Sequence, residues 1–199
     1  MNGYKGISVS NIPTHNLREQ FFNHYHMVKS QEFQEAISNW EPGKHIVTPY
    51  VAWFYWPDQF MTFLTQLSIV GLESYICAAA FHELGMRGRL KENIEYIRNP
   101  FSIPGEKGTA SKYYNLMPTL IDESIPLSTY DSSLWGEVKA FYKEVRNPLF
   151  HGKQLERPTT RDLITIFELL ASIYAWIDGW HDPNQIIPGS GWFTNLHRE

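Results

Sequence analysis

Between Glu144 and Lys153 the chain reads Glu-Val-Arg-Asn-Pro-Leu-Phe-His-Gly-Lys, which places an arginine, a side-chain amide and a histidine within six residues. Arginine grips phosphate or carboxylate through a fixed fork of donors, histidine exchanges protons near neutrality, and asparagine can orient either one. Arg146, Asn147 and His151 therefore supply a charge stabiliser and a general acid or base. On an unbroken helix Arg146 and His151 would diverge by roughly 140°. Pro148 has no N–H and disfavours helical geometry at Asn147, so a bend or break is expected there. Asn147 would then cap a restarted turn with Pro148 at its first position, and Gly152 would end it. Such a bend would bring the guanidinium and the imidazole toward one pocket.

Further charge converges on this stretch. Lys139, Lys143 and Arg146 are spaced four and three apart, which on a helix makes a narrow basic stripe, and Lys153 comes just after. These lysines are candidate phosphate ligands, and a solvated face with ordinary salt bridges is the competing reading. Earlier in the chain Glu73 lies in a long apolar run, where a carboxylate needs a positive or donor partner to offset its desolvation. We expect it to contact Arg146 or to lie near His151.

Other candidate chemistry falls away. Cys77 stands among Ile76, Ala78, Ala79 and Ala80 with no neighbouring positive charge, which marks an inert buried thiol. A single cysteine excludes an intramolecular disulfide framework and any Cys-rich zinc site. His24 and His26 are two residues apart on a helix and point in nearly opposite directions, a poor metal pair. His82-Glu83 begins like a zinc-protease motif, but Met86 stands three beyond the glutamate where that motif has its second histidine. No metal and no cofactor is expected.

The elements that must position these residues are helical. Of the 199 residues 43% are hydrophobic and 15% aromatic, enough for one packed domain, and the formal charge of −4 leaves only a local basic patch for any polyanion. Residues 1–13 read as an irregular lead-in. Thr14 can cap a helix running toward Trp40, on which Leu17, Phe21, Tyr25 and Val28 make one apolar stripe. Glu41-Pro42-Gly43-Lys44 breaks it. The aromatic cluster from Tyr50 to Trp56 has no interleaved basic residue and reads as a core lid or subunit contact more readily than as a base-stacking surface. A central helix from about Gln59 to Leu84, ended by Gly85 or Gly88, is apolar around most of its circumference and forms the hub. Its length would suit a membrane span, but Gln66 and Glu73 inside it favour a core helix, and no membrane role is expected. A short amphipathic helix over Arg89–Arg98 comes next. The Pro/Gly/Ser-dense stretch to Tyr130 holds at best short helices around Lys112–Met117 and Pro118–Glu123, as a wrapped surface segment or a binding loop. Asp131-Ser132-Ser133 opens the helix that leads into the motif, with Leu134, Phe141, Tyr142, Val145 and Leu149 on its apolar arc. Thr159 and Asp162 form a capping box for a last helix to about Trp180. No strand pair is apparent, and residues 181–199 read as an irregular tail. The fold class expected is all-α, a helical bundle around one long central apolar helix. It would be a single domain with the motif-bearing bundle at about 59–180 and a helical extension at 14–40.

Arg-Asn-x-x-x-His at the end of one helix, before another strong amphipathic helix, resembles the signature of the HEPN (higher eukaryote and prokaryote nucleotide-binding) superfamily. The motif is matched at Arg146, Asn147 and His151, and helix order extends the resemblance over roughly residues 59–180. It implies a metal-independent endoribonuclease, of the kind found in toxin–antitoxin and defence systems. His151 would act as general base or acid, Arg146 would hold the scissile phosphate, Asn147 would orient either group, and Glu73 would support them from an earlier core helix. It also implies a homodimer that completes the site with a second histidine, RNA or a nucleotide as ligand, and an antitoxin or other protein as a further partner. The alternative is a non-catalytic helical module that binds a nucleotide or a protein. With no apolar signal core at the N-terminus, a cytoplasmic location is expected.

Overall fold

A computed structural model describes residues 14–39, 46–47, 52–53, 57–156 and 158–180. Expectations for the N-terminal lead-in, the capping side chain of Thr14, most of the aromatic segment and the tail lie outside what is described. The fold is all-α, a bundle of helices around one long apolar helix. In chain order these are α1 (Thr14–Lys29), α2 (Gln31–Ser38), α3 (Pro57–Met86), α4 (Leu90–Arg98), α5 (residues 109–121), α6 (Leu127–Tyr130), α7 (residues 132–150) and α8 (Thr160–Asp178). A turn of 3-10 helix, Pro100–Ser102, joins α4 to α5.

Helix α3 is the hub, and α1, α4, α5, α7 and α8 all pack against it. Leu64, Ile69, Leu72, Ile76, Ala80 and Leu84 are buried along its length while Leu67, Val70 and Phe81 are apolar and exposed, which is why no single apolar stripe can be drawn on it. Each buried Leu or Ile contributes about 2 kcal/mol of transfer free energy. The helix is long and apolar enough to cross a bilayer by length and composition. It begins at Pro57, where a missing N–H is harmless. Its end is set by Gly88 rather than Gly85. Gly88 adopts φ 69°, its N–H bonds the Gly85 carbonyl, and the Arg89 N–H reaches back to Leu84, a Schellman closure.

The single helix expected from Thr14 to Trp40 is two helices. Ser30 leaves helical geometry at φ −67° and ψ 143°, its hydroxyl accepts from the Phe33 N–H and donates to the Met27 carbonyl, and α2 starts anew. The restart buries Phe33 completely. Phe21 of α1 stacks on Tyr174 and Phe167 of α8 at 4.5 and 5.5 Å between ring centres, closing the bundle on that side. A small antiparallel ribbon, β1 (Ile46–Val47) with β2 (Ala52–Trp53), departs from the expectation of no strand pair. Two residues per strand offer no period-two alternation to read, although Ile, Val and Trp suit a pleated surface.

The 100–130 stretch is part of the core, not a wrapped surface loop. Ile103, Tyr114, Met117, Ile121 and Leu127 are buried, and Lys112 buries its stem while its ammonium donates to the Ile103 carbonyl. Instead of two short helices, α5 is continuous and widens to π-helical turns at Lys112–Leu116, just before Pro118.

Candidate functional site

Helix α7 carries the motif, and its geometry corrects the expected break at Pro148. The Asp131 carboxylate caps the start, accepting from the N–H groups of Ser133 and Leu134. The helix does not end at Asn147, which is helical at φ −64° and ψ −46° and caps nothing. Instead Tyr142–Arg146 forms a π-helical segment in which the Asn147 N–H reaches five residues back to the Tyr142 carbonyl. The widened turn solves two problems of a mid-helix proline. It takes the Glu144 carbonyl away from the crowding ring, and it absorbs the missing N–H without ending the helix. Helix α5 uses the same device at the same spacing from Pro118. Beyond Pro148 the chain makes one more turn and closes as expected at Gly152. Gly152 has φ 83°, its N–H bonds the Leu149 carbonyl and the Lys153 N–H bonds the Pro148 carbonyl.

The extra residue in that turn rotates the remainder of α7 by about 100° relative to a regular helix. The expected stripe of Lys139, Lys143 and Arg146 is therefore not continuous. Lys139 and Lys143 are exposed, with the Lys139 ammonium 5.3 Å from the Trp135 ring, whereas Arg146 turns inward against α3. Lys153, just past the helix end, is exposed.

There Arg146 meets Glu73. Nε donates to Oε1 at 3.0 Å and Nη2 to Oε2 at 3.1 Å, a two-pronged pair whose side chains keep 15% and 11% of their surface exposed. The guanidinium is packed between two rings of its own helix, its Cζ lying 4.2 Å from the centre of Phe150 and 5.6 Å from that of Tyr142. Burial pulls the Arg146 proton affinity down, and the hydrogen bonds and charge of Glu73 outweigh that, so the group stays cationic above the ordinary arginine range. Among the described residues the Nη1 edge meets only the Asn147 side-chain oxygen, at 3.4 Å. It is the part of the fork left for a ligand.

Behind the pair runs a buried chain of phenols. Tyr142 donates to Glu73 Oε1 at 2.9 Å, and the Tyr114 and Tyr142 hydroxyls are 2.7 Å apart. Burial first, and then nearby Tyr and Glu73 charge, push both phenols well above their usual range, so they remain O–H groups. Burial first, and then the Glu73 and Cys77 charges, push the half-buried Tyr113 phenol up as well. Cys77 is half-buried rather than sealed, and burial together with the Glu73 charge pushes its thiol up to about 12. That leaves it a poor nucleophile.

His151 caps the C-terminal end of α7, exposed to solvent, and its imidazole makes no hydrogen bond among the described residues. The Gln66 amide of α3 donates to the Leu149 carbonyl at 3.0 Å and fixes the last turn that carries it. Among the described residues no group of three His, Cys, Asp or Glu side chains is placed to hold a metal ion. His24 is half-buried on α1 and burial lowers its proton affinity, while His26 beside it is exposed.

A second buried pair is one that the sequence reading misses. Arg18 of α1, 3% exposed, grips Asp178 of α8 through Nε and Nη2, at 2.9 and 2.8 Å to Oδ2, and Tyr75 of α3 donates to the same carboxylate at 2.8 Å. A signal for it exists: Arg18 shares its helix face with Phe22 and Tyr25, and a cation there needs a buried partner just as Glu73 does. Comparison of the chain with models of protein families, with curated proteins and with solved structures gave no match.

Proposed function

We propose that this chain is a HEPN-like, metal-independent endoribonuclease that works as a homodimer, with Arg146, Asn147 and His151 as its site and Glu73 in support. The observation that carries the reading is the Glu73–Arg146 pair on the helix whose C-terminal residue, His151, presents an exposed imidazole. A guanidinium locked by a bidentate carboxylate and two rings is preorganised, and the Nη1 edge it leaves can receive a phosphate oxygen without reorganisation. In the proposed reaction His151 takes the proton of a ribose 2′-hydroxyl and the 2′-oxygen attacks phosphorus. The 5′-oxygen then departs with a proton from a second acid, leaving a 2′,3′-cyclic phosphate and a 5′-hydroxyl. One imidazole cannot be both base and acid in a single displacement, so a second copy would bring the other His151. Exposed Leu67, Val70 and Phe81 on one side of α3 supply apolar surface for that contact. Lys143 and Lys153 would hold flanking phosphates, and Lys139 would contribute from further out along α7.

The same pair supports a second reading. Glu73 neutralises Arg146, which weakens its hold on a dianion and suits a non-catalytic module that binds a nucleotide or a protein. The two are separated by incubating RNA with the protein in the presence of a chelator. The ribonuclease reading expects cleavage by the wild type and a loss of about a hundredfold or more with His151→Ala. Its thermal unfolding should match the wild type, since the imidazole is exposed. RNA left intact by the wild type, or equal cleavage by His151→Ala, defeats the reading.

A further inference from the structure

The aromatic side chains around Arg146 are arranged along α3 in a way that names the form of RNA the site would take. Three of them reach the surface. Phe150 is 39% exposed while its ring carries the Arg146 guanidinium at 4.2 Å, so one part of the ring is held and another is open. Phe101, in the 3-10 turn after α4, is 57% exposed and meets Tyr113 edge-on at 6.3 Å between ring centres. Tyr113 in turn lies 6.4 Å from Tyr114, which meets Tyr142 of the buried cluster edge-on at 5.4 Å.

The rungs of α3 order these groups. Gln66 holds the Leu149 carbonyl and so marks the level of Phe150, and Glu73 marks Arg146; on the other side of the guanidinium the Tyr142 ring leads through Tyr114 to Tyr113. At 1.5 Å per residue the rise from Gln66 to Glu73 is about 10 Å. The guanidinium thus lies between an aromatic ring on one side and an aromatic pair on the other, with exposed Lys143 and Lys153 on the same helix and its end. Cations that take phosphates, set between rings that take bases, are the pattern of a site for an unpaired strand. A duplex keeps its bases stacked inside and can offer these rings nothing.

We propose that Phe150 on one side of Arg146, and Phe101 with Tyr113 on the other, are base-stacking platforms that select single-stranded RNA. This rests on the ribonuclease reading for the identity of the ligand, but its test does not require cleavage. A fluorescent oligoribonucleotide with every 2′-hydroxyl methylated cannot be cut, and its binding to the full chain is read by anisotropy, alone and annealed to its complement. The single strand should bind more tightly than the duplex. Phe101→Ala and Phe150→Ala should each raise the dissociation constant about fivefold or more, with Phe101→Trp and Phe150→Trp restoring it. Phe150 also packs on Arg146, so Phe101→Ala, distant from the ion pair, is the cleaner variant, and circular dichroism checks that each folds.

Alanine variants that bind as the wild type does, a duplex that binds equally well, or no binding by the wild type would each overturn the proposal. So would Phe101→Ala and Phe150→Ala changing the sedimentation of the protein while leaving RNA affinity alone, which would assign the rings to a subunit contact. Cleavage assayed in parallel on the unmethylated strand separates the two readings. Aromatic-dependent binding without cleavage overturns the ribonuclease and keeps the platform, whereas His151-dependent cleavage indifferent to the rings does the reverse.

Discussion

Hydrogen-bond direction in the buried cluster is dictated by the protons each atom carries. The Glu73 carboxylate has no proton to give, so the Tyr142 hydroxyl must donate to it, and Tyr142 can then only accept from Tyr114. Three donors converge on one carboxylate: the Tyr142 O–H and the Arg146 Nε and Nη2. The two phenols are therefore unequal. Tyr142→Phe removes a bond to a charged acceptor and also leaves the fully buried Tyr114 O–H with no acceptor, a loss of about 3 kcal/mol. Tyr114→Phe removes one neutral bond and leaves Tyr142 still bound to Glu73, a loss of about 1 kcal/mol. Urea unfolding of both variants measures the difference, and equal losses would mean the chain does not run in this direction. Glu73 and its partner are legible in the sequence because a carboxylate on an apolar helix demands a donor. Tyr142 and Tyr114 are not, since each reads as one more apolar residue until the fold joins positions 28 and 69 apart in the chain.

At the scale of the helix, the widened turn is what aims Arg146. A regular 100° per residue locates the buried arc of α7 up to the widened turn, where Phe141 and Tyr142 are buried and Leu134 packs against the core. The same regular spacing cannot show an inserted residue, so it puts Arg146 in line with Lys139 and Lys143. Proline announces that a helix will be disturbed, but not whether it breaks, kinks or widens. That choice is made by what the far side packs against, here Glu73 on α3 and the Leu149 carbonyl held by Gln66. Pro148→Ala tests the link. It restores an N–H and removes the ring, which lets the turn relax to a regular helix and rotates Arg146 relative to the last turn. The expected result is a protein about 1 kcal/mol more stable in thermal unfolding but much less active on RNA. A variant that gains stability and keeps full activity would show that the π-helical segment is only an accommodation of the proline.

Across the whole molecule, α3 serves as a spine with a polar clamp on either side. Glu73 faces Arg146 and Tyr142 of α7, while Tyr75, two residues on and so roughly opposite, joins Arg18 of α1 and Asp178 of α8. Both clamps enclose tyrosines whose ionisation the fold opposes. Burial is the leading cause at Tyr75, Tyr114, Tyr142 and Tyr174, and all four phenols are raised above 10, while the Cys77 thiol rises to about 12. Proton counting gives the sign. In the unfolded chain these groups lose their protons near pH 9 to 10, and in the folded chain they keep them, so the native state binds more protons across that window. Their contribution is fully present below pH 9 and is lost as pH climbs toward the folded values. Thermal unfolding should therefore move steeply downward above about pH 9. A spectrophotometric titration should show exposed phenols ionising first and a second group only as the helical signal collapses. All the phenols titrating in one step near 10 with the helices intact would mean that water reaches the core tyrosines. In that case neither clamp would be as dry as the packing around α3 requires.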